Sequence, residues 1–541
     1  MKSDKNSIKT IEKAAFGILF AAMAVYYGWR MFALTPWYDE LYTYYCFISK
    51  GPVYAAIHWP LPNNHVGYSV LSGFLDMFGS SYIGLRGVSY LCALANMILL
   101  YRIAGKAFNG ILPLCTVLLY VSMNLVNQMA VQGRGYTLGV TCFLTAWLCI
   151  DDICNREQVK KRSYIIYVLS LTLGLYAVSS HVYWVIPLCL AGGCYLLVLA
   201  IKEKALNHSL LKSPSGKRLV RLIVASVVAA LATIFLYTLI WLAIGSNLLV
   251  KEAGSAYFGL GHVEMIIKAP FAAIYRGMEY MLDTPYIQSE ERAGFLGRLG
   301  GFFVSLSDYF YGSMGKVLIL IWLIGISYLL VSLSRKLRSK NDENLLFQMI
   351  LVIEILFIPI CLLIQCKRPY YRVFTYAGAL LAILITVLMQ ALSAYLCSKR
   401  RQNGAGQKLK AVLFLMVFVW FVKCFFFSGY HEQYGQLEYE IQDALAHGEI
   451  SQDGHYCVTD CNQEYLLYFL YGIRCENRQI EGADTLLLDK RMLDPDFKEM
   501  VWEFYQYYET IPWEYIDQNM QVAYENDHYV LYTLKEKENK K

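Results

Sequence analysis

The chain has 541 residues, of which 57% are hydrophobic and only 17% charged, with a mean hydropathy of +0.38. Soluble domains carry nearer a quarter charged residues, and this chain repeats apolar runs of about twenty residues, the length that crosses a bilayer. A soluble globular protein is thereby excluded. Charge is uneven: residues 431–541 hold 23 Asp and Glu against 9 Lys and Arg, or −14, so a total of +6 leaves +20 on the rest. That positive charge sits in short clusters between apolar runs, the pattern of cytoplasmic loops rather than of a nucleic-acid surface.

The first run, about 14–34, is too long for a signal-peptide core and no small-residue cleavage site follows it, so it reads as a retained helix. Lys2, Lys5, Lys9 and Lys13 precede it and predict a cytoplasmic N-terminus. Placing the later clusters at 102–106, 156–162, 202–221, 335–340 and 399–410 on the same side gives eleven spans. They fall near 14–34, 83–104, 110–130, 135–152, 163–180, 182–201, 219–245, 316–334, 344–364, 373–396 and 410–428, with the C-terminus outside. Segment 64–78 is too short and interrupted to cross, and is expected to lie at the outer surface, packed on the bundle. A long outer loop, about 246–315, could cover a cavity there.

After 428 the character turns soluble. GHYCVTD reads as a strand, NQEYLLYFLYG as a helix, DTLLLD as a strand and DPDFKEMVWEFYQYY as a helix; QVAYEN and HYVLYTL form a closing hairpin. The expected architecture is therefore a polytopic α-helical membrane domain of about eleven transmembrane helices, 1–428, with a small extracytoplasmic α/β domain, 429–541. The tail shows no phosphate loop, dinucleotide fingerprint or nucleophile elbow. The fifteen cysteines show no zinc spacing, and there is no internal repeat.

This threading brings several polar motifs to the outer face. In TPWYDELYTYY the adjacent carboxylates Asp39 and Glu40 stand among Trp37, Tyr38, Tyr42, Tyr44 and Tyr45, which read as an aromatic belt at the membrane interface. A carboxylate held there can take a proton from a hydroxyl at the lipid surface; its other reading is a solvated helix end. Arg134 in VQGRGY has a glycine on each side and a planar fork suited to phosphate, against the alternative of an arginine snorkelling to the interface. Lys367, Arg368 and Arg372 place three cations outside, against the positive-inside rule, which points to an anion beside them or to pairing with Asp39, Glu40 or the acidic tail. Asn64, His65, Tyr136 and His181 are candidate substrate contacts that also have ordinary structural readings. Arg86 is expected to anchor the outer end of its helix.

WYDELYTYYCFISKGPVYAAIHWPLPNNHVGYSVLSGFLDMFGSSYIGLRGVSYLCAL, VQGRGYTLGV and RPYYRVFTYAGALLAIL resemble elements of the bacterial protein-mannosyltransferase-like GT-C glycosyltransferases, which include aminoarabinose transferase-like members. The similarity extends loosely over about residues 10–400, with Ala377 and Gly378 where that superfamily usually has a proline. The resemblance implies transfer of a hexosyl or pentosyl group from a polyprenyl-phosphate carrier to a glycan, lipid or protein acceptor at the outer face of the plasma membrane. It implies Asp39 as catalytic base and Glu40 as a helper that positions the site, with Arg134 and the 367–372 cluster on the lipid phosphate. No cofactor is required by such chemistry, although Glu40 with His65 could hold a divalent metal. A transporter or flippase of lipid-linked saccharide is the competing class. Such proteins usually show internal repeats and broken helices near the midplane, whereas here the ionisable residues gather at one face. A non-catalytic anchor for the acidic domain is a third reading, and leaves the outer charges without purpose.

Overall fold

In this computed structural model the described residues are 2–58, 64–156, 158–207, 210–246, 261–278, 289–339, 344–399, 405–427, 435–475, 479–494 and 511–535. The chain begins with α1 (Lys2–Ala33) and then runs through four short elements: α2 (Tyr38–Cys46), a 3-10 turn Ile48–Lys50, α3 (Pro52–Ile57) and α4 (Val66–Asp76). The bundle continues with α5 (Ser81–Ala107), α6 (Leu112–Val121), α7 (Asn124–Val131), α8 (Tyr136–Asn155), α9 (Lys161–Ala177), α10 (Val182–Asn207) and α11 (Pro214–Ser246). It closes with α12 (His262–Met278), α13 (Phe295–Tyr311), α14 (Gly315–Ser339), α15 (Leu345–Gln365), α16 (Ala377–Lys399) and α17 (Ala405–Phe427).

Nine of these helices are long and apolar enough to cross a membrane, which makes the chain a multi-pass membrane protein. The two other expected spans exist as helices of different form. Helix α9 has seventeen residues. The span expected near 110–130 is the pair α6–α7, bent by 70° at its break. A break in lipid exposes backbone groups that need partners, and Asn127 supplies them: its Nδ2 donates to Val121 O (2.7 Å) and Met123 O (2.8 Å). Tyr27 and Arg30 of α1 bind the same residue, through Oδ1 (3.0 Å) and the carbonyl (3.0 Å), so α1 is fastened to the break.

Segment 64–78 forms the short helix α4, packed on α5 as expected. The Tyr68 hydroxyl is buried and donates to Leu85 O at 2.6 Å. The expected long outer loop contains two helices, α12 and α13, and α13 packs Phe302 and Phe310 into the main core.

The C-terminal region is a small α/β unit. Helix α18 (Gln436–Ala446) precedes β1 (Tyr456–Val458), α19 (Cys461–Tyr471), β2 (Thr485–Asp489), α20 (Trp513–Asn519), β3 (Met520–Glu525) and β4 (Tyr529–Leu534). The strands order as β1-β2-β4-β3, with β1 parallel to β2 and the β3–β4 hairpin antiparallel. Both expected strands, the helix between them and the closing hairpin are present. The expected helix DPDFKEMVWEFYQYY and the domain boundary at 428/429 lie outside the described residues.

The aromatic row of α2 has a different role from the membrane belt its composition suggests. It is the dock for this domain. Tyr45 lies 4.6 Å from Tyr465 and 5.2 Å from Tyr468, and Tyr44 meets Phe469 edge-on at 5.0 Å. Leu41, Tyr44, Ile48 and Leu85 share one buried cluster with Leu466, Leu467 and Phe469. Apolar rings with polar tips suit such an interface as well as they suit headgroups. Polar contacts lock it, among them Thr35 Oγ1 to Gln442 Oε1 (2.7 Å), Tyr38 N to Glu438 Oε1 (3.1 Å) and Tyr45 Oη to Glu464 Oε1 (2.5 Å).

Candidate active site

The site is built around the first turn of α2. Glu40 Oε2 accepts the Trp37 N–H at 3.0 Å, satisfying a helix-start donor, and both acids of this turn sit where the helix dipole favours negative charge. Consecutive helical residues point about 100° apart, so the two carboxylates face different surroundings.

Glu40 turns inward and is fully buried. Arg86 grips it with both arms, Nε to Oε1 at 2.8 Å and Nη2 to Oε2 at 3.0 Å, and the Gly133 N–H donates to Oε1 at 2.6 Å. Arg86 Nη1 also donates to Met31 O and Leu34 O at 3.0 and 2.6 Å. One buried ion pair thus fastens the end of α1, the start of α2, α5 and the 132–135 turn together. Glu40 thus has both oxygens occupied by N–H donors. Arg86, read from the sequence as a helix anchor, is its partner and the largest element that reading missed. Its signal was an arginine inside an apolar helix between Gly84 and Gly87.

Asp39 turns the other way. Its Oδ2 lies 2.8 Å from Arg372 Nη1, with side chains 13% and 18% exposed. The Arg372 guanidinium is stacked among Tyr370 (4.8 Å), Trp37 (5.5 Å) and Tyr136 (6.0 Å), and its Nε is buried without a hydrogen-bond partner. The aromatic walls frame the fork and cover most of it.

Arg134 and His65 complete the cluster. Arg134 Nη1 donates to Thr43 Oγ1 at 2.7 Å and to Asp39 O at 3.3 Å, so this buried arginine braces the backbone of α2. His65 Nδ1 accepts the Gly135 N–H at 2.9 Å, and the ring meets Tyr136 edge-on at 5.0 Å. Burial, with Arg134 and Arg372 nearby, pushes its pKa well below the usual histidine range. The neutral ring therefore carries its proton on Nε2, which faces Arg134 Nη2 at 3.4 Å. Two donors facing each other at that distance favour an acceptor oxygen beside them.

The glycines around Arg134 do something other than admit a ligand. A Cβ on Gly133 would collide with Leu85, and one on Gly135 with Val178 and the Ala177 carbonyl. They let the turn press against α5 and α9 and aim its N–H groups at Glu40 and His65.

The remaining candidates are spread more widely. Asn64 donates to His58 O (2.6 Å) and Ala55 O (3.3 Å) and accepts from Ser69, which makes it a brace of its own turn. His181 is buried with Nδ1 at 2.8 Å from Gly174 O, packed against Gly139 of α8. Lys367 is buried in the connection after α15. Arg368 is drawn to the rim, where Glu290 bridges it (2.5 Å) and Arg298 (2.6 Å). As for metal, Glu40 is saturated by donors and His65 is engaged, so the pair does not form an ion site. Among the described residues no cluster of three His, Cys, Asp or Glu could hold a metal.

Residues 65–241, about a third of the chain, match the family described as dolichyl-phosphate-mannose-protein mannosyltransferase. The whole chain superimposes on the crystal structure of ArnT from Cupriavidus metallidurans bound to undecaprenyl phosphate, with TM-score 0.52 and 13% identity over 96% of this chain and 98% of that one. A weaker likeness, TM-score 0.44 and 11% identity over 84% of this chain and 64% of the other, is to the archaeal oligosaccharyltransferase AglB from Archaeoglobus fulgidus in complex with an inhibitory peptide and a dolichol-phosphate. No curated protein sequence matches the chain. The family match and the likeness to ArnT over 96% of the chain show that it has the fold of the GT-C glycosyltransferases, as its motifs suggested.

Proposed function

We propose that the protein is a membrane glycosyltransferase that moves a sugar from a polyprenyl-phosphate carrier to an acceptor hydroxyl at the outer face of the plasma membrane. The observation that carries the reading is the Asp39–Arg372 pair, a carboxylate 2.8 Å from a guanidinium within an aromatic frame. It sets a base beside a cation suited to a departing phosphate. The ArnT structure, which holds undecaprenyl phosphate, supports the choice of donor.

In this mechanism the acceptor hydroxyl gives its proton to Asp39 as its oxygen attacks the anomeric carbon. The bond from that carbon to the phosphate oxygen breaks, and the carrier leaves as polyprenyl phosphate. A single direct displacement of this kind, with no covalent glycosyl-enzyme intermediate, inverts the anomeric carbon. Negative charge grows on the leaving phosphate. Arg372 meets it, with the Arg134 Nη2 and His65 Nε2 donors as the second contact, and such donors are each commonly worth about 3–4 kcal/mol to the transition state. Lys367 adds positive charge to the same connection, whereas Arg368 is committed to Glu290. Glu40 and Arg86 hold the frame. The N-terminus is cytoplasmic and the α/β domain outside, where α18 and α19 fasten the helix that bears the base.

Purified protein supplied with polyprenyl-phosphate sugars and membrane-extract acceptors tests the reading. A transferase releases free polyprenyl phosphate, and a flippase releases none. Movement of intact donor across vesicles without release would refute the proposal.

A further inference from the structure

The end of the bundle remote from Asp39 carries a second built feature. Helix α8 starts at Tyr136 in the candidate site and ends at Asn155, roughly 28 Å away at 1.5 Å per residue. Beside that end, Lys217, Arg218 and Arg221 of α11 border a recess of about 550 Å³ with Asn155 and Tyr195. From Arg221 an apolar groove of about 470 Å³ continues between α9 and α11, walled by Ile165, Val168, Val220, Val224 and Val228. Positions 217, 221, 224 and 228 follow helical spacing, so basic recess and apolar groove lie along one face of α11.

Among the described residues the neighbouring carboxylates are engaged elsewhere. Asp151 and Asp152 face Lys106 at 2.5 and 3.7 Å, Asp152 also pairs with Arg156, and Glu203 accepts from the Ser215 amide and hydroxyl. Arg218 is fixed by Cys154 O (2.8 Å) and Ser215 Oγ (3.0 Å). Among the described residues neither Lys217 nor Arg221 has a carboxylate partner. Orientation by positive charge requires only such cations; it does not require an apolar groove that begins at one of them.

We propose that this face of α11 is a binding site for a membrane phospholipid with a net-negative phosphate headgroup. The phosphate lies between Lys217 and Arg221, and an acyl chain follows the groove between α9 and α11. Basic pockets between membrane helices recognise anionic headgroups in this way. The groove from 221 to 228 runs about 10 Å along the helix, within the roughly 15 Å of hydrocarbon in one leaflet, and so takes the first part of an acyl chain. Its walls open to the lipid, with Ile165 58% and Val224 55% exposed. The site is independent of the proposed transferase activity.

Native mass spectrometry of the full-length protein, titrated with phosphatidylglycerol and with phosphatidylcholine of the same chains, tests it. Wild type should hold phosphatidylglycerol more tightly. The double variant Lys217→Gln/Arg221→Gln should weaken it roughly 30-fold, at about 1 kcal/mol per cation, without changing phosphatidylcholine. Should that variant fail to fold, Val224→Trp fills the groove and keeps the cations, and phosphatidylglycerol affinity must still fall. Equal retention of the two lipids by wild type, or unchanged phosphatidylglycerol affinity in a folded variant, overturns the site. So does displacement of phosphatidylglycerol by undecaprenyl phosphate at equal concentration, which assigns the groove to the carrier.

Discussion

The two ends of the bundle use charge in opposite ways. At the end that bears α2, Glu40, Arg86 and Arg134 are buried and Asp39 and Arg372 nearly so, each with named partners that fix its direction. At the other end Lys106 and Arg156 are about half exposed, and Lys217 and Arg221 are exposed. Buried charge must be paired, because an orphan in low dielectric is costly, so the outer cluster specifies one geometry. Exposed charge is screened and contributes little to a particular structure; its sign still orients the chain in the membrane. The difference teaches that a count of charges says less than whether each has a partner it cannot exchange for water.

The sharpest way to break the comparison is at Arg86. Replacing Arg86→Met leaves Glu40 buried and uncompensated, which should destabilise the fold by about 3–5 kcal/mol. Thermal unfolding in detergent reads this directly, and a near-neutral result would show that Glu40 can reach water or protonate freely. Next in size is Arg372→Lys, which keeps the charge and loses the fork. Turnover should fall about tenfold or more with weaker donor affinity, since the cation acts on charge that grows toward the transition state. A silent variant would demote Arg372 to a structural partner of Asp39.

The soluble domain sharpens the same point by pH. Asp460 caps α19, accepting the Gln463 N–H at 2.8 Å, and burial pushes its pKa up to about 7 despite that bond. The folded state therefore holds this proton more tightly than the unfolded chain. Its contribution to stability is complete below the unfolded value near 3.8 and is lost as pH rises through about 7. Unfolding midpoints of the full-length protein should drop between pH 5 and 8, and Asp460→Asn, which can still cap, should flatten that slope. The smallest effect belongs to the opposite end of the bundle: Lys106→Gln breaks a half-exposed pair and should cost under about 1 kcal/mol.

The helical framework was legible because each span is an apolar run bounded by charge. The broken span and the short α9 were less so, because apolar length does not reveal where Asn127 will cap a break. At the site, TPWYDE located the carboxylates, but which of the two is buried and gripped depends on Arg86, 46 residues away in α5. Periodicity carries no sign of that pairing. The tyrosines of α2 have the composition of a membrane belt, and only Tyr465, Tyr468 and Phe469 across the interface show them to be a dock. Arg368 and Arg372 looked equivalent in KRPYYR. The turn Tyr371–Phe374 and the presence of Glu290 at the rim separate them.

The central claim is that Asp39 is the base. Single-turnover transfer by Asp39→Asn, compared with wild type at saturating donor and with donor affinity measured on the same samples, tests it most directly. The account predicts that donor binding persists while the transfer rate falls by at least about 100-fold, the scale of general-base removal. Transfer at the wild-type rate by a folded Asp39→Asn protein would contradict it.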